Sequence, residues 1–561
     1  MDDYENKPQS HPLRFLRHLG RTREIITVLL NYGFGDLVER TQLRQYLQWG
    51  RRVVLRRPSE PTVPYTRARR IRLALESLGP TFIKFGQVVS TRPDVVPPDV
   101  VAELEKLQEN VPPFPAEQAV AEIERELGAD IHSLFAEFEH TPLAAGSLAQ
   151  VHKAKDHNGR IWAVKVRRPN VVRDVERDLA LMYELAVLIE RHIPEAAVFD
   201  PVGLVNHFTR AIRREMHFTR EARTIDTFRR LFRNDATLYV PLVDWDRTTD
   251  AVLTMEFIDG VHVTDKAKLS ELGIDCYTLA NNLAHVFIKQ IFRLGIFHGD
   301  PHPGNIRVLQ DGSICLLDYG MIGIVDDDKR ELFVDMLVAV HRRDVRTVVE
   351  IVRELGYAMQ PLDLPLLTAD VRDFIDAYYG LELDRINVSQ VLRDFVQILS
   401  NHRIRCPGEL MLMIRAMITL EGVLRELAPD FNIAEVLAPE LESLVRERHS
   451  PRKIAERLLE EARMLVTLSH NAPRQVGRIL HKLSNDDMRI QLELRRLDRL
   501  IKELDRSSNR LAIGVVIAAL IVASALIIQN SSLYWMSIPI FILSSLLGAW
   551  LIYGIFRSGK L

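Results

Sequence analysis

Apolar positions recur at helical spacing from residue 13 to residue 49, where Phe15, Leu16 and Leu19 are followed by Ile25, Ile26, Leu29 and Leu30. Residues 56–65 interrupt the pattern with three prolines and read as a linker. Helical patterning resumes at 67–77 and continues to the proline-dense Pro112, Pro113 and Pro115. From 143 to 317, strand-length apolar runs mix with helical ones, which predicts an α+β region. Helical spacing then carries on to about residue 445, and 453–510 is a long charged helical stretch. Residues 511–528 and 533–556 contain no charged side chain. At about 1.5 Å per residue they would form helices of roughly 27 and 36 Å, close to the hydrocarbon thickness of a bilayer. The polar connector Gln529-Asn530-Ser531-Ser532 makes the pair a transmembrane hairpin, with Tyr534 and Trp535 where an interfacial aromatic belt would lie.

Charge changes this picture in two places. Over 561 residues Lys+Arg (73) and Asp+Glu (75) nearly cancel, so the chain is no polycation and nucleic acid is not expected as a partner. The first seventy residues are nevertheless rich in arginine, with Arg14, Arg17, Arg21, Arg23, Arg51, Arg52, Arg56, Arg57, Arg69 and Arg70. They read either as a face against acidic lipid headgroups or as a solvated helix face. Arg499, Lys502, Arg506 and Arg510 precede the first apolar run, Arg557 and Lys560 follow the second, and the connector has neither Lys nor Arg. The positive-inside rule then keeps both flanks cytoplasmic in the cell inner membrane. Cys276, Cys315 and Cys406 form no CxxC pair, which argues against a disulfide framework or structural zinc and fits a reducing compartment. Asp2, Asp3 and Glu5 with no apolar run behind them exclude a secretory signal peptide. The expected organisation is 1–65 basic helices, 66–142 a helical extension, 143–450 the catalytic region, 451–510 a charged connector and 511–556 the hairpin.

The chemistry-bearing residues concentrate in the α+β region. His298-Gly299-Asp300-Pro301-His302-Pro303-Gly304-Asn305 is followed by Leu316-Leu317-Asp318-Tyr319-Gly320. An Asp with an Asn five residues on, then an Asp-x-Gly turn after a short apolar strand, is the layout of a kinase catalytic loop and its metal-binding turn. Asp300 would face the acceptor, while Asn305 and Asp318 would hold Mg²⁺ against the triphosphate of ATP. His298 and His302 raise zinc as an alternative, without a third ligand at suitable spacing. Upstream, Ala144, Ala145, Gly146, Ser147 and Val151 form a small-residue loop between strands, and Ala163-Val164-Lys165-Val166 places Lys165 as the phosphate-contacting lysine. Its expected carboxylate partner is Glu221, with Glu215 as a competitor. The run ending at Glu256 is a buried strand suited to hold adenine through backbone groups.

With these pieces in place the sequence resembles the UbiB (AarF/ADCK) family of atypical kinase-like proteins, over residues 20–340 and again in the C-terminal hairpin. The most specific element is Lys84-Phe85-Gly86-Gln87, which matches the family's KxGQ segment. The resemblance implies an atypical bilobal kinase-like α+β fold in which that segment, with Lys84, Gly86 and Gln87, folds over the nucleotide site opposite Glu215. The family's E-x-D motif reads Glu215-Met216-His217 here, so His217 replaces its Asp, and Gly146 stands where alanine is common. Gly299 replaces the catalytic-loop Arg of ordinary protein kinases. The family further implies binding of ATP and Mg²⁺, slow ATP hydrolysis and support of isoprenoid quinone synthesis. Membrane lipid, quinone precursors and quinone-biosynthesis enzymes are the partners to expect, with self-pairing left open. A small-molecule phosphotransferase and a non-catalytic ATP-binding scaffold remain as competing readings.

Overall fold

Glu137–Phe138, Ala144–Ala145, Ala149–Lys155, Ile161–Arg167 and Val252–Glu256 pair antiparallel into one twisted sheet. The computed structural model describes residues 18–41, 65–93, 96–107, 111–193, 196, 199–358, 361–379, 387–448, 512–523, 525–526, 539 and 542–550. It divides into two compact units, 1–450 and 451–561.

Strand alternation explains how the sheet is used. Trp162, Val164 and Val166 lie on one face with Ala119 and Ile123 of the helix Ala116–Leu127. Ala163 and Lys165 occupy the other face, and Ala163 belongs to the large core below. The Asp156–Gly159 turn closes the central hairpin. Asp156 accepts the N–H groups of Asn158 and Arg160 and the Trp162 indole N–H, and Gly159 supplies the positive φ of 82°. Residues 116–138 therefore pack as part of the sheet layer.

Below the sheet, Ile306–Val308 pairs with Ile314–Leu316, flanked by Val261–His262 and by Leu238–Tyr239, the latter parallel. Ile296–His298 pairs with Ile322–Ile324. The helices Cys276–Ile288, Asp327–His341, Val345–Leu355, Leu364–Tyr378, Val388–Asn401 and Gly408–Leu427 share a single buried core with these strands.

A second core joins the helices Leu19–Asn31, Arg67–Leu78 and Pro80–Ser90 to Val171–His192 and Pro201–Glu215. Of the N-terminal arginines named above, Arg21 and Arg70 have a structural use, while Arg14, Arg17, Arg51, Arg52, Arg56 and Arg57 lie outside the described residues. Arg21 donates to both oxygens of the buried Asp178 and to Leu78 O, and Arg70 donates to Gly33 O. These arginines fasten helices to one another and do not form a lipid-facing row. Residues 1–17, 42–64 and 451–511 lie outside the described residues, as does the connector of the expected hairpin. Among the described residues no helix is long and apolar enough to cross a membrane.

Candidate functional site

Lys165 leaves the sheet pointing down, and its ammonium lies 2.9 and 2.8 Å from the two carboxylate oxygens of Glu221. Glu221 sits in the first turn of the helix Phe218–Leu231, on the face that also buries Phe218, Ala222, Ile225 and Phe228. Between the two sequence candidates, Glu221 is the partner of Lys165. Glu215, last residue of the preceding helix, instead pairs with Lys84 at 2.6 Å.

Asp318 completes the group, 3.9 Å from the Lys165 ammonium, with its own carboxylate accepting the Gly320 N–H. Two cations and three carboxylates therefore share one cleft. Lys165 holds the Asp318 carboxyl well below the usual carboxylate range. Burial works against the Lys165 ammonium, but Glu221 and Asp318 outweigh it and hold its pKa above the ordinary lysine value. Burial pushes the Glu221 carboxyl up to about 7, against the pull of Lys165 and with Asp318 adding to the push.

The loop below is built by its own histidines. His298 is buried, its Nε2–H donating to Asp318 O and its Nδ1 accepting the Asp300 N–H. His302 Nδ1 caps the short turn Pro303–Asn305 by accepting the Gly304 N–H. Both rings are committed to shaping the loop, which removes the zinc alternative. Asn305 donates through its amide nitrogen to Asp300 O, so its amide oxygen is spare, and Leu317 N donates to Asn305 O. Among the described residues no three His, Cys, Asp or Glu side chains converge on a metal position. One carboxylate and one amide oxygen nevertheless suit magnesium, which keeps water and phosphate oxygens for most of its coordination. The half-exposed Asp318 carboxylate fits that chemistry, and Asn305 and Asp318 are the residues that would hold the ion.

The small-residue loop is more closed than the sequence suggests. Ala144 and Ala145 pair with Val151 and Gln150, and the Gly146 N–H is bonded to Ala149 O. Ser147 is buried, so neither it nor the Gly146 N–H is open to a phosphate in this conformation. Arg168 explains the closure: it donates to Gly146 O at 2.9 Å and to Pro112 O at 2.7 Å. Leu148, at the tip, belongs to the core of the helical extension. Val151 stands opposite Lys165 on the neighbouring strand. Glu256 Oε2 accepts from both the Tyr239 hydroxyl and the Leu242 N–H, which fixes this carboxylate against the neighbouring strand and loop.

The K-F-G-Q helix splits its four residues between two jobs. Only Lys84 reaches the cleft. Phe85 packs edge-on against Phe208, with ring centroids 5.3 Å apart. Gly86 faces Leu107, Leu75 and Leu104, where a Cβ would overlap Leu107 Cδ1. Gln87 donates to Leu107 O. His217 turns away from Lys84 and pairs with Asp250 at 3.2 Å. Gly299 has a packing reason too, because a Cβ there would stand 2.9 Å from the Leu412 side chain. No arginine fits at that place. Sequence reasoning missed Arg168, Leu148, Phe85 and Leu412, and the only available signal was a lone arginine after a strand.

A strand lysine tied to a helix carboxylate above an Asp-x-Gly turn defines a kinase-like protein. The comparisons agree. The family model for the ABC1 atypical kinase-like domain matches residues 106–352, that for the UbiB helical domain 371–432, and that for the ABC1/UbiB kinase-like C-terminal domain 495–557. A Xanthomonas campestris pv. campestris protein named "Probable protein kinase UbiB" is 35% identical, over 92% of this chain and 93% of its own. A Marinobacter nauticus protein of the same name is 36% identical over 68% of this chain and 71% of its own. The chain belongs to the UbiB family of ABC1 atypical kinase-like proteins. A solved structure of Rv3197 with erythromycin, from Mycobacterium tuberculosis, is 20% identical with a TM-score of 0.45, covering 66% of this chain and 90% of that one; nothing further rests on it.

Proposed function

We propose that this protein binds ATP with Mg²⁺ in the cleft between Lys165 and Asp318, hydrolyses it slowly, and thereby serves isoprenoid quinone synthesis at the inner membrane. The observation that carries the reading is the linked pair of ion pairs, Lys165–Glu221 and Lys84–Glu215, around Asp318. Lys165 would bind phosphate oxygens, with Glu221 holding its ammonium in place. Asn305 and Asp318 would hold the magnesium, which supplies charge neutralisation at the phosphates when bound. Asp300, whose carboxylate accepts no hydrogen bond among the described residues, would take the proton of an attacking hydroxyl or water. The helix carrying Lys84 covers the place of a peptide acceptor, which favours hydrolysis or a small acceptor over protein phosphorylation.

Membrane placement is part of the same proposal. The uncharged runs 511–528 and 533–556 support it, and their described parts leave Val515, Leu526, Leu546 and Trp550 exposed. So does the solvent face of the helix Phe218–Leu231, where the exposed Arg223 and Arg230 lie opposite Glu221. The nucleotide claim is tested by thermal-shift titration with Mg-ATP, in which Asp318→Asn should abolish the shift seen for the wild type. An undiminished shift would remove Asp318 from the metal site. For the membrane claim, a cysteine placed at Ser531 should react with an impermeant reagent on intact cells and one placed at Ser558 should not; the opposite pattern would overturn the orientation.

A further inference from the structure

The helix Pro201–Glu215 is held at both ends, and the two anchors belong to different parts of the molecule. At its C-terminus Glu215 grips Lys84. At its N-terminus Asp200 receives Arg405, which lies on the short strand Ile404–Arg405 just before the helix Gly408–Leu427. The Arg405 Nη1 to Asp200 Oδ2 distance is 2.5 Å. That second helix touches the same strut again, since the Gly408 Cβ position is 3.3 Å from the His207 ring. Four residues further on, Leu412 packs on Gly299 of the catalytic loop. A continuous line of contacts thus runs from the catalytic loop, through Gly408–Leu427, to the Lys84 pair about 22 Å along the strut.

Three features of the Arg405–Asp200 contact are costly on their own. Asp200 has φ 44° and ψ 63°, a left-handed conformation that non-glycine residues rarely hold. Its other carboxylate oxygen caps the helix by accepting the Gly203 N–H, and a Cβ at Gly203 would overlap that carboxylate. Arg405 Nη2 is buried with no hydrogen-bond partner among the described residues. A strained backbone, an obligate small residue and a half-satisfied guanidinium converge on one ion pair. Structure of that kind persists when the surroundings require the position.

We propose that Arg405 is a positioning residue for the nucleotide site: its grip on Asp200 sets the strut Pro201–Glu215 and so holds Lys84 closed over the cleft. The helical region 371–432 then acts as the fixed end of a strut whose free end is Glu215. This rests on Lys84 and Glu215 being part of the nucleotide site, but its first test does not need nucleotide.

Hydrogen exchange on the full-length, nucleotide-free protein is compared among wild type, Arg405→Gln, Asp200→Asn and Arg405→Lys. Asparagine keeps both the cap and the left-handed backbone, so Asp200→Asn removes the charge and the oxygen that Arg405 grips while leaving the helix start intact. In Arg405→Gln and Asp200→Asn, amides of Pro80–Ser90 and of the Glu215 end of the strut should exchange about tenfold faster, while Cys276–Ile288 is unchanged. Arg405→Lys should restore protection, because only one guanidinium nitrogen makes the contact. Gly203→Ala should match the charge variants by displacing the carboxylate. With Mg-ATP, the charge variants should release a fluorescent nucleotide analogue several-fold faster. Unaltered exchange in Pro80–Ser90 in both charge variants overturns the proposal, as does exchange equally faster in Cys276–Ile288, Val345–Leu355 and Leu364–Tyr378. If instead exchange responds as expected but neither wild type nor variants bind nucleotide, the strut stands and the ATP reading fails.

Discussion

Above pH 7, where the Glu221 carboxyl is ionised, replacing Glu221 by Gln would leave the Lys165 ammonium without its main counter-charge, and the size of the effect follows from the geometry. The Glu221 side chain is 5% exposed and that of Lys165 19%, whereas Asp318 is 51% exposed. At an effective dielectric of about 20, unit charges 2.8 Å apart attract by roughly 6 kcal/mol, and at 3.9 Å by roughly 4. Most of that attraction offsets the loss of hydration, so the attraction is not the net value of the pair. Removing one partner of a buried pair typically costs about 3–5 kcal/mol. Asp318 remains to compensate Lys165 in part, which places Glu221→Gln near the lower end, at about 3 kcal/mol. At roughly 2 °C per kcal/mol for a large domain, the unfolding transition that Mg-ATP shifts should fall by about 6 °C. Removing both charges with Lys165→Met and Glu221→Leu should recover more than half of that loss while still binding no nucleotide. Differential scanning calorimetry with and without Mg-ATP measures both quantities. A Glu221→Gln transition within about 1 °C of wild type would refute the reasoning, because the pair would then behave as a solvated surface contact.

Lys84→Ala and Glu215→Ala should each weaken nucleotide affinity several-fold, and the double variant should be clearly milder than the sum of the two; strict additivity in binding titrations would mean that the 2.6 Å pair is not a shared interaction. Gly86→Ala should lower stability by about 1–3 kcal/mol in thermal melts although alanine favours helix, because the added methyl meets Leu107 and Leu75; a gain in stability would sink the packing argument. His152 is buried with Nδ1–H donating to Glu139 O and Nε2 accepting from Gln150, and burial holds its pKa below the ordinary value. The unfolded chain takes up this proton near pH 6.5 and the folded one resists it, so folding stability is full above that pH and falls on acidification. The slope is at most about 1.4 kcal/mol per pH unit from this group. Melting wild type and His152→Gln between pH 5 and 8 should give curves that converge below pH 6.5, and parallel curves would exclude the assignment.

What could be read from the sequence divides along physical lines. Lys165, Asp300, Asn305 and Asp318 were legible because their chemistry depends on residue type at short spacing within single strands and turns. Glu221 was also legible as the preferred partner of Lys165, with Glu215 opposite Lys84, and the break at Met216 between two helices lets both carboxylates enter the cleft. Gly86 and Gln87 were legible as a motif but not as a mechanism: one makes room for Leu107 and the other accepts no part in the cleft, donating to Leu107 O. Arginines were the most misleading residues. Arg21, Arg70 and Arg168 each bind backbone carbonyls or a buried Asp, and composition cannot separate such bolts from a charged face.

Leu148 ties two timescales together. Because the tip of the small-residue loop is buried among Phe82, Val88 and Val175, the loop cannot lift without unpacking the helical extension. Opening the pocket is then a concerted rearrangement of a hydrophobic interface, slower than the flapping of a solvated glycine loop. Nucleotide exchange would be limited by that unpacking, whichever residue performs the chemistry. A nucleotide bound behind such a loop would be held for as long as that interface stays packed.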